Sequence, residues 1–245
     1  MLEADLSRIW VYLSASPLLG LTATLVAYGL AHRLYIAANS NPLLNPVVTA
    51  VAVLILFLLA TDISYKDYFE GGQFVHFLLG PATVALAIPL YQQVDKLKRL
   101  WLPVTVAVLS GVMIGAVSSI LIAWFFGASE QTQLSLAPKS VTAPVAMGIS
   151  DQIGGLPSLT AVLVVVTGII GAVLGTKLFD LMRIRDDSVR GIAMGVSAHG
   201  IGTARAFTVS AQMGAFSGLA MALSAFATAV LLPWLVDWMA VWLWN

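Results

Sequence analysis

The sequence contains no cysteine and few charged residues, and both shortages exclude classes of function. Without cysteine, the 245-residue chain has no disulfide bond, no thiol nucleophile and no cysteine-ligated zinc or iron–sulfur cluster. Charged residues make up 10% of the chain, whereas roughly a quarter is usual in soluble domains. The formal net charge is zero and no basic run occurs, so nucleic acid is not an expected partner. We also expect no metal site and no cofactor.

Long apolar stretches dominate the chain, because 59% of its residues are hydrophobic. A bilayer span needs about 20 mainly apolar residues. The hydropathy pattern therefore predicts an all-α polytopic membrane protein with about seven or eight transmembrane or re-entrant segments. No polar stretch leaves room for a second domain, so we expect one integral membrane domain, residues 1–245, embedded in a lipid bilayer. The predicted segments are 9–30, 46–60, 73–92, 103–126, 134–150, 158–178, 188–212 and 216–240.

Basic residues in short loops predict the orientation of these segments. Two basic clusters, at residues 96–99 and 183–190, should both face the cytoplasm. Segments 73–92 and 188–212 would then run through the membrane in opposite directions, which is an inverted topology. Both basic clusters can face the cytoplasm only if residues 134–150 enter and leave the membrane on one side; otherwise one of the two basic loops breaks the rule. We expect the first arrangement, with a re-entrant segment and broken helices at residues 134–150.

A short internal repeat points to the same inverted arrangement. Residues 80–84 and 200–204 share a Gly-x-small-Thr-small pattern, and residues 137–141 resemble the first copy. Such five-residue matches also arise by chance in a chain rich in glycine and alanine. The prediction of an inverted repeat therefore depends mainly on the orientation argument.

The first motif with chemical interest contains Gly80, Pro81, Thr83 and Pro89. Proline lacks an amide hydrogen and clashes with the preceding turn, so Pro81 and Pro89 should break the helix and free backbone groups. Amides at the start of a half-helix attract an anion, and the Thr83 hydroxyl would add a donor. A proline kink without a binding role is the alternative.

The second motif places Lys139, Ser140 and Thr142 between Pro138 and Pro144. An ammonium group in an apolar span costs about 2.5–3.5 kcal/mol on membrane-insertion scales, a cost usually tolerated for a function. Lys139 is therefore a candidate to bind a substrate anion, and Ser140 and Thr142 would add hydroxyl groups. In the alternative, Lys139 extends to a nearby membrane surface from a short re-entrant turn.

The third motif contains His199, Gly200, Gly202, Thr203 and Arg205. The two glycines weaken the helix, while the three polar side chains offer donors suited to a carboxylate in a weakly hydrated site. Arg205 can bind both carboxylate oxygens at once, and His199 titrates near neutral pH and could carry a coupled proton. The alternative is that Arg205 pairs with a structural carboxylate.

Catalysis has little support in these motifs. Ser197 and His199 are close in the sequence, but no carboxylate accompanies them to complete a hydrolytic triad. We therefore do not expect an enzyme. No acidic pair lies deep in a predicted span, so sodium coupling has no support either.

The three motifs, at residues 80–91, 138–151 and 195–206, resemble those of the LrgB/CidB family. The resemblance implies a multi-pass protein of the bacterial cytoplasmic (inner) membrane, akin to transporters with inverted repeats and broken helices. It also implies one of two functions. Members are described as holin- or antiholin-like modulators of murein hydrolase export and autolysis, acting with a small LrgA/CidA-type partner. A related plant chloroplast protein instead exchanges glycolate and glycerate.

The residues themselves favour a transporter of small organic anions. A holin-like pore gives no reason to keep Arg205, Lys139 and His199 among glycines and prolines at membrane depth. We expect a glycolate-, glycerate- or pyruvate-like monocarboxylate to bind where segments 73–92 and 188–212 approach, near the middle of the membrane. Arg205 would be the main contact and Lys139 would line the path. The alternative is a holin-like modulator with an LrgA/CidA-type subunit, in which glycine pairs of the spans serve a partner or a homo-oligomer.

Overall fold

The computed structural model describes residues 17–38, 41, 44–78, 81, 84–85 and 87–244, with the backbone alone for His76 and Ala87. All regular secondary structure in these ranges is helical, which confirms the predicted all-α class. The chain divides into two compact units, Met1–Ala85 and Leu86–Asn245.

The described helices of the first unit are α1 (Pro17–Ala37), α2 (Pro46–Thr61) and α3 (Tyr65–Phe77). Helices α1 and α3 approach so closely that only glycine fits between them. A Cβ atom on Gly20 would lie 2.2 Å from the Tyr68 carbonyl oxygen. The hydroxyl groups of Thr24 and Tyr68, 2.7 Å apart, join the same two helices.

The predicted segment over residues 73–92, interrupted by glycine and proline, includes residues 79–80, 82–83 and 86, which lie outside the described residues. Helix α3 begins earlier, at Tyr65, and ends at Phe77, and a separate short helix, α4 (Ala87–Tyr91), belongs to the second unit. Hydropathy missed the start of α3 because its first turns are polar. Pro81 is helical and exposed, whereas Thr83 lies outside the described residues.

Three helices of the second unit are long and apolar enough to cross a bilayer. They correspond to the predicted segments 103–126, 158–178 and 216–240, although the first begins nearer the N-terminus, in turns too polar for hydropathy to detect. These long helices are α5 (Val94–Phe125), α8 (Pro157–Leu181) and α10 (Ala211–Leu243). Shorter or broken helices between them are α6 (Glu130–Leu136), α7 (Ala143–Gln152) and α9 (Asp187–Val209).

Both basic clusters lie at one end of the second unit. Lys96 Nζ, in the first turn of α5, is 3.5 Å from Asp186 Oδ2, just before α9. Residues 96–99 lie within helix α5 and not in a loop, contrary to the prediction from the sequence. We call this the basic end, with residues 96–99 and 183–190. At the other end, Trp244 Nε1 donates to Gln133 Oε1 over 3.0 Å, so the end of α10 lies beside α6.

Asp186 begins α9 as a capping residue at the basic end. Its Oδ1 accepts hydrogen bonds from the amides of Ser188, at 2.7 Å, and Val189, at 3.2 Å. Burial alone would raise the pKa of the Asp186 carboxyl, but these amides and the Lys96 ammonium lower it below its ordinary value on balance. The charged carboxylate therefore stabilises the start of α9.

Helices α6 and α7 form a hairpin, the first hairpin, residues 130–152. Ser135, near the end of α6, and Ser150, near the end of α7, meet at the same residue of α8. Thr160 Oγ1 is 3.0 Å from the Ser135 carbonyl oxygen and 2.7 Å from Ser150 Oγ. Between them the chain turns at Pro138 and reverses at Thr142, whose backbone is extended. The two arms thus return to one end of the unit.

Helix α9 forms the second hairpin, residues 187–209. Ser210 Oγ donates to Asp187 Oδ2 over 2.6 Å, and Gln212 Nε2 donates to Ser188 Oγ over 3.0 Å. A straight helix of this length would separate its two ends by about 34 Å. The prediction that the interrupted segment 188–212 runs through the membrane from one side to the other is therefore wrong, because its two arms fold back on each other.

The reversal of the second hairpin occurs at His199, whose φ of 40° and ψ of −134° are not helical. Gly202 then lets the returning arm lie against the first. A Cβ atom there would be 2.5 Å from Ala198 Cβ and 3.0 Å from Met194 Cγ, so any larger residue would push the arms apart.

The turns of both hairpins approach α8 at the same residue, Val164. Val141 belongs to the same buried cluster as Val164, and His199 Nε2 is 2.9 Å from the Val164 carbonyl oxygen.

Candidate functional site

A cavity of about 690 Å³ lies within the second unit, between the first hairpin, α5, α8 and the first arm of α9. It reaches the middle of two long helices, because α5 contributes residues as far as Gly115 and α8 contributes Thr167, Ile170 and Gly171. Most of the lining is aliphatic or glycine. The polar lining residues are Ser110, Lys139, Ser140, Thr167, Ser188 and Ser197.

Lys139 is the one charged residue in the described lining of this cavity. It is half-buried, and its amide donates to the Leu136 carbonyl oxygen over 3.1 Å within the turn of the first hairpin. Within the described part of the chain, the ion pairs join Lys96 to Asp186 and Arg190 to Asp180, and neither involves Lys139. An uncompensated ammonium group in an apolar cavity favours an anionic ligand.

The hydroxyl groups around Lys139 differ in the hydrogens that they can offer. Ser110 Oγ donates to the Val106 carbonyl oxygen over 2.7 Å, and Ser197 Oγ donates to that of Ala193 over 2.6 Å. Both hydroxyls therefore donate their hydrogen to a carbonyl oxygen of their own helix. No such bond engages Ser140 or Thr167 in the described residues, and Ser188 Oγ accepts from Gln212 Nε2. The hydroxyls of these three lining residues therefore keep a hydrogen that they can donate to a ligand.

His199 and Thr203 lie in the protein interior, away from this cavity. His199 is 4% exposed and Thr203 is 3% exposed. Since a carbonyl oxygen only accepts, the bond to Val164 requires a hydrogen on His199 Nε2. Thr203 Oγ1 donates to the His199 carbonyl oxygen over 2.8 Å and lies 2.9 Å from Ser217 Oγ. Both side chains hold the reversal of the second hairpin in place.

Arg205, Gly200 and Gly202 lie on the returning arm of the second hairpin, and none of them is in the described lining of the cavity. Arg205 is half-buried, and its Nη1 donates to Thr208 Oγ1 over 3.2 Å. Thr142 immediately precedes α7, where its side chain makes no capping hydrogen bond in the described residues, and it lies outside the lining. Of the predicted site residues, the cavity brings together Lys139 and Ser140. Substrate binding by the others, including Pro81 in the first unit and Thr83, stays a prediction.

Sequence reasoning missed Ser110, Thr167 and Ser197 as cavity residues. Their signal was a hydroxyl beside a small residue inside an apolar run, as in Ser110–Gly111 and Thr167–Gly168. Glycine is required at position 168 for a separate reason, because a Cβ atom there would lie 2.7 Å from His199 Cε1. That glycine makes room for the histidine ring against α8.

Comparison with known proteins identifies the family of this chain. The model of the LrgB-like family matches residues 24–238. The chain belongs to the LrgB-like family. No solved structure matches it significantly.

Curated relatives of this LrgB-like chain cover most of its length. Holin-like protein CidB of Staphylococcus epidermidis is 35% identical over 213 residues, which are 87% of this chain and 93% of the relative. Holin-like protein CidB of Staphylococcus aureus is 35% identical over 219 residues, which are 89% and 95%. YwbG of Bacillus subtilis is 38% identical over 195 residues, which are 80% and 87%. The resemblance to the LrgB/CidB family is thereby confirmed.

Proposed function

We propose that this chain is a holin-like protein of the bacterial cytoplasmic membrane, which modulates murein hydrolase export and autolysis with a small LrgA/CidA-type subunit. The similarity to holin-like CidB proteins over nearly the whole chain carries this proposal. It takes the place of the transporter that the residues alone favoured. Self-association of the chain, or association with that subunit, would build the assembly in the membrane.

The second unit has an architecture suited to membrane insertion. In our proposal α5, α8 and α10 cross the bilayer, and the first and second hairpins enter it from opposite surfaces. Backbone groups at such turns must be satisfied by protein where no water reaches them. The hydrogen bond that Thr203 Oγ1 donates to the His199 carbonyl oxygen supports this, since it satisfies a backbone group at one turn. The basic end would face the cytoplasm by the positive-inside rule.

The arrangement of the proposed spans favours an inverted repeat different from the predicted pairing of segments 73–92 and 188–212. Helix α5 with the first hairpin and α8 with the second hairpin would form two similar halves of opposite direction. The repeat would thus lie in residues 94–209, with its two turns at Thr142 and His199.

Co-expression with a partner tests the holin-like role. The host is a bacterium lacking its own LrgB-like and LrgA-like proteins, and the measurements are lysis rate in detergent buffer and murein hydrolase activity in the medium. We expect both to change when the chain and an LrgA/CidA-type subunit are present together, with either alone as the control. Unchanged lysis and hydrolase activity, with both proteins detected in the membrane, would contradict the role.

A carrier of small organic anions is the second candidate, and the cavity around Lys139 favours it. A single ammonium group, three available hydroxyls and aliphatic walls suit a monoanion with an apolar body. Glycolate, glycerate, lactate and pyruvate belong to this class. Transport would require the hairpin turns to expose the cavity alternately to the two surfaces.

Uptake into proteoliposomes separates the two candidates. Lys139→Gln should abolish saturable uptake of radiolabelled glycolate or pyruvate, because it removes the positive charge of the cavity. Lys177→Gln is the matched control, since Lys177 is an exposed lysine of α8 outside the cavity lining. Arg205→Gln tests the site predicted from sequence. Normal uptake by the Lys139 variant excludes this carrier site, and leakage indifferent to solute and substitution supports a holin-like pore.

A further inference from the structure

A second cavity, of about 380 Å³, lies at the basic end, where the chain passes from α8 into α9. Its lining consists of Asp180, Arg183, Arg185 and Arg190. None of these residues lines the cavity around Lys139. Three guanidinium groups and one carboxylate therefore surround a space at the end of a membrane-length helix.

The end of α8 directs Arg183 toward this space. The amide of Arg183 donates to the Asp180 carbonyl oxygen over 3.1 Å, and that of Ile184 donates to the Phe179 carbonyl oxygen over 2.9 Å. This turn gives Arg183 a φ of 58°, in the left-handed region that glycine usually fills at a helix end. An arginine thus occupies a position where backbone conformation alone would favour glycine.

Arg190 neutralises the carboxylate of the cavity. Its Nη2 donates to Asp180 Oδ1, and its Nε donates to the Ile184 carbonyl oxygen over 2.6 Å. Arg190 therefore closes the turn between α8 and α9. Arg183 and Arg185 are both exposed, and the described residues offer neither guanidinium a hydrogen bond or an ion pair. Two positive charges are left at the rim of the cavity.

We propose that this cavity binds a phosphate group, with Arg183 and Arg185 as its direct ligands. A guanidinium group presents paired donors that match two phosphate oxygens, and two of them surround a phosphate better than lysines would. The cavity lies at the end of α8, a helix long enough to span a bilayer. In a membrane, this end of the helix would lie at the depth of the phospholipid head groups. The phosphate comes either from an anionic phospholipid or from a soluble phosphate ester.

Lipid binding to the purified full-length chain tests this site. Native mass spectrometry in neutral detergent counts bound phosphatidylglycerol, with phosphatidylcholine as the zwitterionic comparison. Arg183→Gln/Arg185→Gln should weaken phosphatidylglycerol binding by roughly fivefold per arginine. Lys98→Gln/Arg99→Gln is the matched control, because it removes two exposed positive charges from the same end but none from the cavity lining. This control should bind like the unaltered chain.

Competition with inorganic phosphate distinguishes the two sources. Lipid binding that phosphate does not displace assigns the site to a phospholipid head group, and displacement assigns it to soluble phosphate; both support the site. Equal loss of binding in the two double variants would overturn the proposal in favour of diffuse attraction. Unchanged binding of both phosphatidylglycerol and inorganic phosphate by the arginine variant would also overturn it. Melting temperatures establish that both variants are folded.

Discussion

Cysteines introduced at positions 187 and 210 test the fold-back of α9 directly, because the natural chain contains no cysteine. Ser210 Oγ lies 2.6 Å from Asp187 Oδ2 across 23 positions of sequence. The same 23 positions in a straight helix would span about 34 Å. A short bifunctional maleimide can bridge the first distance and cannot bridge the second.

The assay counts linkers per chain by intact mass after treatment in membranes. Asp187→Cys/Ser210→Cys should carry one linker joined to both thiols. Ser158→Cys/Leu181→Cys has the same spacing within the continuous helix α8 and should carry two separate linkers. Ser210 also caps α10 by accepting from the Met213 amide over 3.0 Å, so its variant should lose about 1 kcal/mol of stability. Two linkers on both variants would refute the hairpin.

Two further predictions concern stability, and melting in detergent micelles measures both. Gly168→Ala should cost about 1–3 kcal/mol, because its Cβ would lie 2.7 Å from His199 Cε1 and displace the ring. Gly148→Ala, a helical position with no atom near the new Cβ, should gain about 0.5–1 kcal/mol; equal effects would contradict the packing argument. Asp186→Asn keeps a capping oxygen but removes the charge. Since the pKa of Asp186 is lowered in the folded protein, its carboxylate stabilises at neutral pH and this contribution disappears as the pH falls through the folded pKa. The unaltered chain should therefore melt higher than the variant at neutral pH and equally in acid, and a pH-independent difference would contradict this.

The long helices were predictable because apolar transfer energies add along the chain without reference to distant residues. The long helices predicted over residues 103–126 and 158–178 were found in this way, with ends displaced where polar turns extend the helix. The helix break near Pro138 was predictable for a similar reason, since proline removes a backbone donor wherever it stands. Lys139 stood out because a charge inside an apolar run is costly.

The cavity itself was much less predictable from the sequence. Arg205 looked like the stronger candidate because arginine binds a carboxylate with two donors, but the structure places it on the returning arm, outside the cavity lining. Ser110 and Thr167 become neighbours of Lys139 only when α5, α8 and the first hairpin pack together. Their hydroxyls resemble many others in apolar helices, so composition alone cannot select them.

The sequence by itself determined that this chain is an all-helical membrane protein, where its long apolar helices lie, and to which family it belongs. These properties depend on local composition and on similarity along the chain. Only the tertiary structure decided whether the chain bends or reverses at each helix break. Glycine near His199 permits a kink as readily as a reversal, and the contact between Asp187 and Ser210 selects the reversal. Because that contact joins residues far apart in sequence, no local pattern contains it.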